Sequence, residues 1–149
     1  MADYVFDMDG TLANIDHRLH FLDENPPNWK DFNYNYFYDL PVEPVIKMAQ
    51  ALHADLKNRI VILTGREGTD RGHRDTVMWL EEHNVPYDAL YMRHVGDQRR
   101  DDVIKREILA TMRENGFHPF AVFDDRPQVV RMWREEGIFV FDVNVRGEF

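Results

Sequence analysis

The chain has 149 residues, a formal net charge of −9 from 27 acidic and 18 basic side chains, and no cysteine. This length suits one domain whose core needs no disulfide, and the lack of thiols excludes thiolate zinc sites and cysteine nucleophiles. The negative charge opposes extended non-specific binding to nucleic acid, although a few clustered arginines can still bind a phosphate end.

The N-terminal sequence MADYVFDMDG lacks the basic and apolar regions of a signal peptide. The sequence also contains no run of about 18 apolar residues, the length that indicates a membrane-spanning helix. We therefore expect a cytoplasmic protein with no membrane partner.

Short apolar runs alternate with amphipathic segments, which is typical of an α/β domain with a parallel sheet. Strands are predicted at residues 4–6, 60–63, 90–92, 121–123 and 139–141, which are rich in β-branched or aromatic side chains. Four of these strands lead directly into polar residues. Because the carboxyl ends of parallel strands meet at one edge of the sheet, we expect the functional site there.

Helical spacing of apolar residues predicts helices between these strands. The patterns cover residues 42–56, 77–80, 104–112 and 129–133, and Pro127 is well placed in the first turn of the last helix. Gly116 and Gly137 are expected just after helix ends.

Residues 14–41 break this alternation and carry many aromatic side chains among Asn, Asp and Pro. The segment predicts a small cap inserted into a single domain that spans residues 1–149. Trp29 or Phe32 could stack on a nucleic-acid base, a contact worth about 1–3 kcal/mol. The alternative is that these aromatic residues only anchor the cap.

The strongest motif is Asp7-Met8-Asp9-Gly10-Thr11, at the end of the first strand. If the strand continued regularly, Asp7 and Asp9 would share a face and repel each other. A divalent cation removes this repulsion, and carboxylate oxygens are suitable Mg²⁺ ligands. The alternative is a solvated corner between a strand and a turn.

A second acidic pair, Asp124-Asp125, follows the strand at residues 121–123. Parallel strands would bring this pair to the same sheet edge as the first motif. Asp125 could instead cap the helix that starts near Pro127.

Two further elements offer groups that suit phosphate oxygens. Thr64-Gly65-Arg66, at the end of the second strand, supplies a hydroxyl, backbone N–H groups and a guanidinium, but it also fits an ordinary turn. Lys105 could steer the transferred phosphoryl group, or it could form a structural ion pair with Asp101, four residues earlier.

In this order, the four elements resemble the motif set of the haloacid dehalogenase superfamily. Within it, the chain resembles the phosphatase domain of bacteriophage polynucleotide kinase/3′-phosphatase over nearly its whole length. The resemblance rests on residues 7–18, 64–67, 93–102, 105 and 124–133. It implies an α/β fold in which a Rossmann-like parallel sheet of about five strands lies in three layers with a small inserted cap.

The resemblance implies that Asp7 is the nucleophile and Asp9 the general acid and base. Asp124 would complete a Mg²⁺ site with Asp7 and the backbone carbonyl of Asp9. Asp125 would act through water or by holding the metal ligands.

Other matched residues would bind or stabilise the phosphoryl group. The resemblance implies that Thr64 and Lys105 neutralise the charge of this group and that Asp101 holds Lys105 through a hydrogen bond. Thr11 would have a supporting role. Phosphate contacts would come from Arg18, Gly65, Arg66 and Arg93, because an arginine can bind phosphate through two parallel donors.

The implied reaction is Mg²⁺-dependent removal of 3′-phosphates from polynucleotide ends or 3′-nucleotides. No G-x-x-x-x-G-K-[ST] sequence occurs, so the chain is not expected to phosphorylate 5′ ends. Two alternatives remain: a nucleotidase or small-metabolite phosphatase with the same chemistry, and a non-catalytic phosphate-binding protein. None of the seven histidines has metal-ligand spacing, so none is given a role.

Overall fold

The computed structural model describes residues 1–144 and has a five-stranded sheet at its centre. The strands are β1 (Ala2–Phe6), β2 (Ala13–Asn14), β3 (Leu40–Pro41), β4 (Asn58–Glu67), β5 (Ala89–Arg93), β6 (Pro119–Asp124) and β7 (Phe139–Asp142). The helices are α1 (Trp29–Tyr34), α2 (Glu43–His53), α3 (Asp70–Glu82), α4 (Asp101–Glu114) and α5 (Pro127–Glu135). The central sheet is parallel in the order β5-β4-β1-β6-β7, which confirms the predicted fold class and all five predicted strands.

Helices cover both faces of the sheet and produce three layers. Val5 of β1 packs in one core cluster with residues of α4 and α5, including Trp133. Phe6, the next residue, packs in the other cluster with Ile46 of α2 and Trp79 of α3. Since both faces are buried, the central strands have nearly continuous apolar sequences rather than alternating ones.

The register of β1 and β6 brings the two acidic motifs together. Phe6 lies opposite Phe123, and the two rings stack with their centroids 4.3 Å apart. The backbone N–H of Asp7 donates to the carbonyl of Phe123 at 3.0 Å. Asp7, the residue after β1, and Asp124, the last residue of β6, therefore lie side by side.

Strand β4 is longer than predicted. It continues to Glu67, so Thr64-Gly65-Arg66 lies inside the strand, and both the predicted strand end at residue 63 and the alternative of an ordinary turn are wrong. The pairing with β5 shifts register between Thr64 and Glu67, as in a bulge, which redirects the chain without ending the strand. A side chain at Gly65 would meet Asp101, whose Oδ1 lies 2.5 Å from an ideal Cβ position there.

The ends of the helices follow local turn chemistry. Gly116 and Gly137 have φ values of +87° and +77° just beyond α4 and α5, which confirms the predicted helix ends. The prediction that the first long helix reaches Leu56 is wrong, because α2 ends at His53 and Leu56 is 94% exposed. Asp55 forms a turn there, with its carboxylate accepting the backbone N–H of Lys57 at 3.0 Å.

Residues 14–41, predicted as the cap, form a small unit between β2 and β3, which pair antiparallel. The unit contains α1 and two 3₁₀ helices, Asp16–Asp23 and Tyr36–Tyr38. The last five residues of the predicted domain, 145–149, lie outside the described residues. Within the described part of the chain, no helix is long and apolar enough to cross a membrane.

Candidate active site

Three carboxylates and one ammonium group meet at the carboxyl ends of β1 and β6. Lys105 Nζ donates to Asp7 Oδ1 at 2.8 Å and to Asp124 Oδ2 at 3.0 Å. Asp125 joins this group, and one carboxylate oxygen from each aspartate lies within 4.8 Å of the others. Asp7, Lys105 and Asp124 are buried, so the cluster lies at the bottom of the site.

Short-range contacts hold the acidic side chains in place. The Thr11 hydroxyl lies 3.3 Å from Asp7 Oδ2 and 3.2 Å from Asp125 Oδ1 and can donate to either. Trp133 Nε1 donates to Asp124 Oδ2 at 3.2 Å. Gly10 has a φ of +85°, and a Cβ there would lie 2.2 Å from Asp125 Oδ2, so only glycine fits this turn.

The electrostatics of this cluster favour a bound cation. Burial raises the pKa of Asp7 well above its ordinary value, Lys105 opposes this shift, and Asp124 and Asp125 add to it. Burial lowers the pKa of Lys105, but the neighbouring Asp124 and Asp7 outweigh burial and raise it. Three carboxylates share one ammonium group, and their oxygens are hard ligands, so Asp7, Asp124 and Asp125 fit a Mg²⁺ ion.

Asp9 points in another direction and is held by two arginines. Its Oδ1 accepts from Arg18 Nη2 at 2.8 Å and from Arg66 Nη2 and Nε at 2.6 and 2.9 Å. Burial raises the pKa of Asp9, but Arg66 and Arg18 outweigh burial and lower it to about 2. Asp9 is therefore a carboxylate at neutral pH in the protein without substrate.

Arg18 and Arg66 lie behind Asp9 rather than at the open face of the site. Their side chains are 0% and 2% exposed, whereas that of Asp9 is 27% exposed. Their N–H groups donate mainly to protein carboxylates. This geometry suits residues that orient Asp9, and a direct contact of either arginine with substrate phosphate stays a prediction.

Asp39 was not singled out in the sequence, although it lies in the same network. Its carboxylate accepts from Arg18 Nε and Nη2, both at 2.8 Å, and from Arg66 Nη2 at 3.2 Å. His17 Nε2 lies 2.7 Å from Asp39 Oδ1. No sequence motif marks Asp39; its role becomes visible only from the structure, in which two buried arginines need more than one counter-charge.

The predicted hydrogen bond between Asp101 and Lys105 is wrong. Asp101 accepts from Arg93 and Arg126, whereas Lys105 Nζ points to Asp7 and Asp124. The alternative exposed ion pair is also wrong, because Lys105 is buried. From its position on α4, Lys105 reaches into the acidic cluster, where it contacts two of the three carboxylates, those of Asp7 and Asp124, instead of the single carboxylate of Asp101.

Arg93 and Thr64 have structural partners beside the site. Arg93 donates through Nε to the carbonyl of Gly65 at 2.7 Å and through Nη1 to the carbonyls of Asp97 and Arg99 at 2.9 and 2.6 Å. The buried Thr64 Oγ1 accepts the backbone N–H of Arg66 at 3.2 Å. Arg93 thus holds the loop before α4, and its contact with substrate phosphate stays a prediction.

The aromatic residues of the cap divide into an anchor and an exposed set. Phe32 is buried under the Arg18 guanidinium, whose carbon lies 4.3 Å from the ring centroid. Phe32 therefore anchors the cap, which was the alternative to stacking on a nucleic-acid base. Trp29, Tyr34 and Tyr38 remain more than half exposed.

Comparisons with known proteins identify the family of the chain. Residues 2–149 match the family of the polynucleotide kinase PNKP phosphatase domain. A putative bifunctional polynucleotide kinase/RNA ligase of Autographa californica nuclear polyhedrosis virus is 29% identical over 133 residues. That match covers 87% of this chain and 17% of the viral protein.

Solved structures show the same similarity. A chain of a Pnkp1/Rnl/Hen1 complex superposes with a TM-score of 0.80 and 30% identity, over 99% of this chain and 47% of that chain. A second structure, of the Pnkp1/Rnl/Hen1 RNA repair complex, gives a TM-score of 0.77 and 27% identity, over 95% of this chain and 42% of that chain. The chain thus spans less than half of each of these relatives.

More distant structures support the fold alone. A haloacid dehalogenase-like hydrolase from Streptococcus pneumoniae has a TM-score of 0.63 and 16% identity, over 95% of this chain and 84% of that chain. The site geometry and the match over residues 2–149 lead to one conclusion. The chain belongs to the PNKP phosphatase-domain family and is a phosphatase domain of the haloacid dehalogenase type.

Proposed function

We propose that this protein is a Mg²⁺-dependent polynucleotide 3′-phosphatase that works through an aspartyl-phosphate on Asp7. The observation that carries the proposal is the convergence of Asp7, Asp124 and Lys105 at one sheet edge, beside the separately held Asp9. Two carboxylates in different environments suit two different roles in one reaction. Asp7 is the nucleophile and Asp9 the proton carrier.

In the first step, an oxygen of Asp7 attacks phosphorus in line with the ester bond. The new Asp7–phosphorus bond forms as the ester P–O bond breaks, and the leaving oxygen takes a proton from Asp9. Lys105 Nζ, 2.8 Å from Asp7 Oδ1, orients the carboxylate and reduces the negative charge around the phosphoryl group.

In the second step, water attacks the phosphorus of the aspartyl-phosphate and Asp9 takes the proton from that water. Phosphate leaves and Asp7 is restored. Asp9 is held as a carboxylate in the free protein, which is the form this step requires. For the first step Asp9 must be protonated, and the like charge of a phosphate bound nearby raises its pKa in that direction.

Asp7, Asp124 and Asp125 would hold the metal ion, with the backbone carbonyl of Asp9 as a further ligand. When bound, Mg²⁺ supplies positive charge that offsets the repulsion between these carboxylates and an anionic phosphate.

The substrate assignment rests on the relatives and on the modest size of the cap. The matched family and the viral relative are named for polynucleotide kinases, and the Pnkp1 chains belong to an RNA repair complex. A small-metabolite phosphatase needs a cover that encloses its substrate and excludes water. Residues 14–41 form a short helix, two 3₁₀ helices and a two-stranded pairing. We expect a cover of this size to admit a polymer end.

A matched set of substrates tests the assignment. We expect a 3′-phosphorylated oligonucleotide or 3′-mononucleotide to have a higher kcat/KM than the matching 5′-phosphate, at equal Mg²⁺. Phosphate release is measured for both oligonucleotides, both mononucleotides and a sugar phosphate. Preference for a 5′-nucleotide or the sugar phosphate would exclude the 3′-end assignment and favour the nucleotidase or metabolite alternative, while the Asp7 chemistry would stand.

A further inference from the structure

Asp39 is a buried carboxylate that connects the cap to the residues around Asp9. Its side chain is 0% exposed, and the side chains of Arg18 and Arg66 are 0% and 2% exposed. Arg18 offers both Nε and Nη2 to the two Asp39 oxygens, a bidentate contact that fixes the plane of a guanidinium. The same Arg18 Nη2 also donates to Asp9 Oδ1.

The charges of this network balance only when Asp39 is included. Two buried guanidinium groups face Asp9 and Asp39, and Arg66 Nη2 contacts both carboxylates. Without Asp39, the single carboxylate of Asp9 would be left with two buried cations. A buried ion that lacks a partner is unfavourable, so the arginines would move or admit water.

The backbone of Asp39 is also fixed. Its carbonyl accepts from Trp79 Nε1 of α3 at 2.9 Å, and its N–H donates to the carbonyl of Tyr36 at 3.2 Å. The ring of Tyr36 lies under the Arg66 guanidinium, with 4.2 Å from its carbon to the ring centroid. These two contacts fix the backbone of Asp39, one within the cap and one with α3.

We infer that Asp39 is a positioning residue for the phosphatase reaction, which holds Arg18 and Arg66 so that these arginines aim the Asp9 carboxylate. The inference rests on the proposed role of Asp9. Asp39 does not touch the acidic cluster of Asp7 and Lys105 through any contact in the described residues, so its effect passes through the arginines.

The test compares Asp39→Asn with a matched control, Asp3→Asn, near the N-terminal end of β1. Asp3 is also buried and forms a bidentate pair with Arg59, at 2.7 and 2.8 Å, but it lies away from the site. Asp3→Asn is expected to lower the melting temperature and to leave kcat and KM unchanged. Melting curves are recorded for every variant, and kinetics are measured well below the lowest midpoint.

For Asp39→Asn we expect kcat on an alkyl phosphate ester to fall by about 10²-fold, as for a misplaced catalytic group. KM should stay within about threefold, because Asp39 and the arginines are behind Asp9 and away from the open face. The loss should be larger for alkyl than for nitrophenyl phosphates, since a good leaving group needs less help from Asp9.

A double-variant cycle with Asp9→Asn separates positioning from a general structural role. If Asp39 acts through Asp9, Asp39→Asn should change kcat by less than about twofold in the Asp9→Asn background. If Asp39→Asn does not fold, Asp39→Glu is used in the same cycle. Its extra methylene moves the carboxylate relative to Arg18 and Arg66, so the same selective loss of kcat is expected.

Each outcome has one meaning. A folded variant with wild-type kcat, or an equal loss in both backgrounds, would overturn the positioning role of Asp39 and leave the proposed function intact. A fully active Asp9→Asn, or a wild-type protein without phosphatase activity, would overturn the proposed function and this inference with it.

Discussion

Asp7→Asn is expected to reduce phosphatase turnover by about 10⁴-fold or more, because an amide cannot act as the anionic nucleophile. The fold should survive the change. Burial raises the pKa of Asp7, and Asp124 and Asp125 repel its charge, so a neutral side chain relieves an unfavourable arrangement. Lys105 keeps its contact with Asp124. The measurement is kcat on a phosphate monoester, together with a thermal unfolding curve.

Two controls make this result decisive. The melting temperature of Asp7→Asn should equal or exceed that of the wild type, which excludes unfolding as the cause of lost activity. Asp3→Asn, a buried aspartate of the same strand, should keep normal kcat. Retained turnover in Asp7→Asn, after contaminating phosphatases are excluded, would remove Asp7 from the nucleophilic role.

Removal of divalent metal is expected to abolish activity, and addition of Mg²⁺ should restore it. Three aspartates offer oxygens within 4.8 Å of one another, and Lys105 is their only ammonium contact among the described residues. An anionic phosphate cannot approach such a cluster easily without added positive charge. Activity is measured after EDTA treatment and gel filtration, before and after Mg²⁺ is returned.

Binding of Mg²⁺ should also be visible without any substrate. Because the ion binds the folded cluster, it should raise the melting temperature of the wild type in a concentration-dependent manner. The melting temperature of Asp124→Asn, which lacks one carboxylate ligand, should rise less at the same Mg²⁺ concentration. Full activity in EDTA, or equal shifts in the two proteins, would contradict the proposed metal site.

Much of the fold could be predicted because the signals are local. Each strand of the central sheet is an apolar run between polar segments, and the parallel arrangement brings Asp7 and Asp124 to one edge. The helix ends at Gly116 and Gly137 could be predicted because glycine adopts the positive φ found there more easily than other residues. The strands and the helix ends depend on neighbours in the sequence, so composition and spacing were enough to predict them. The shared edge then followed from the general geometry of a parallel sheet.

The errors involve contacts between distant parts of the chain. Spacing suggested that Lys105 pairs with Asp101, four residues away, but tertiary packing turns Lys105 towards Asp7 and Asp124. Asp39 was missed because its partners, Arg18 and Arg66, are 21 and 27 residues away and no motif links them. The register shift between Thr64 and Glu67 is a property of the pairing of β4 with β5, which the sequence of one strand does not reveal.

The central claim, a phosphoryl group carried on Asp7, is tested most directly by the stereochemistry at phosphorus. The substrate carries a phosphate made chiral with sulfur and heavy oxygen isotopes, and it is hydrolysed in isotopically labelled water. Two in-line displacements, first by Asp7 and then by water, each invert the configuration, so we predict net retention in the released thiophosphate. Net inversion would show a single direct attack by water and would contradict the account.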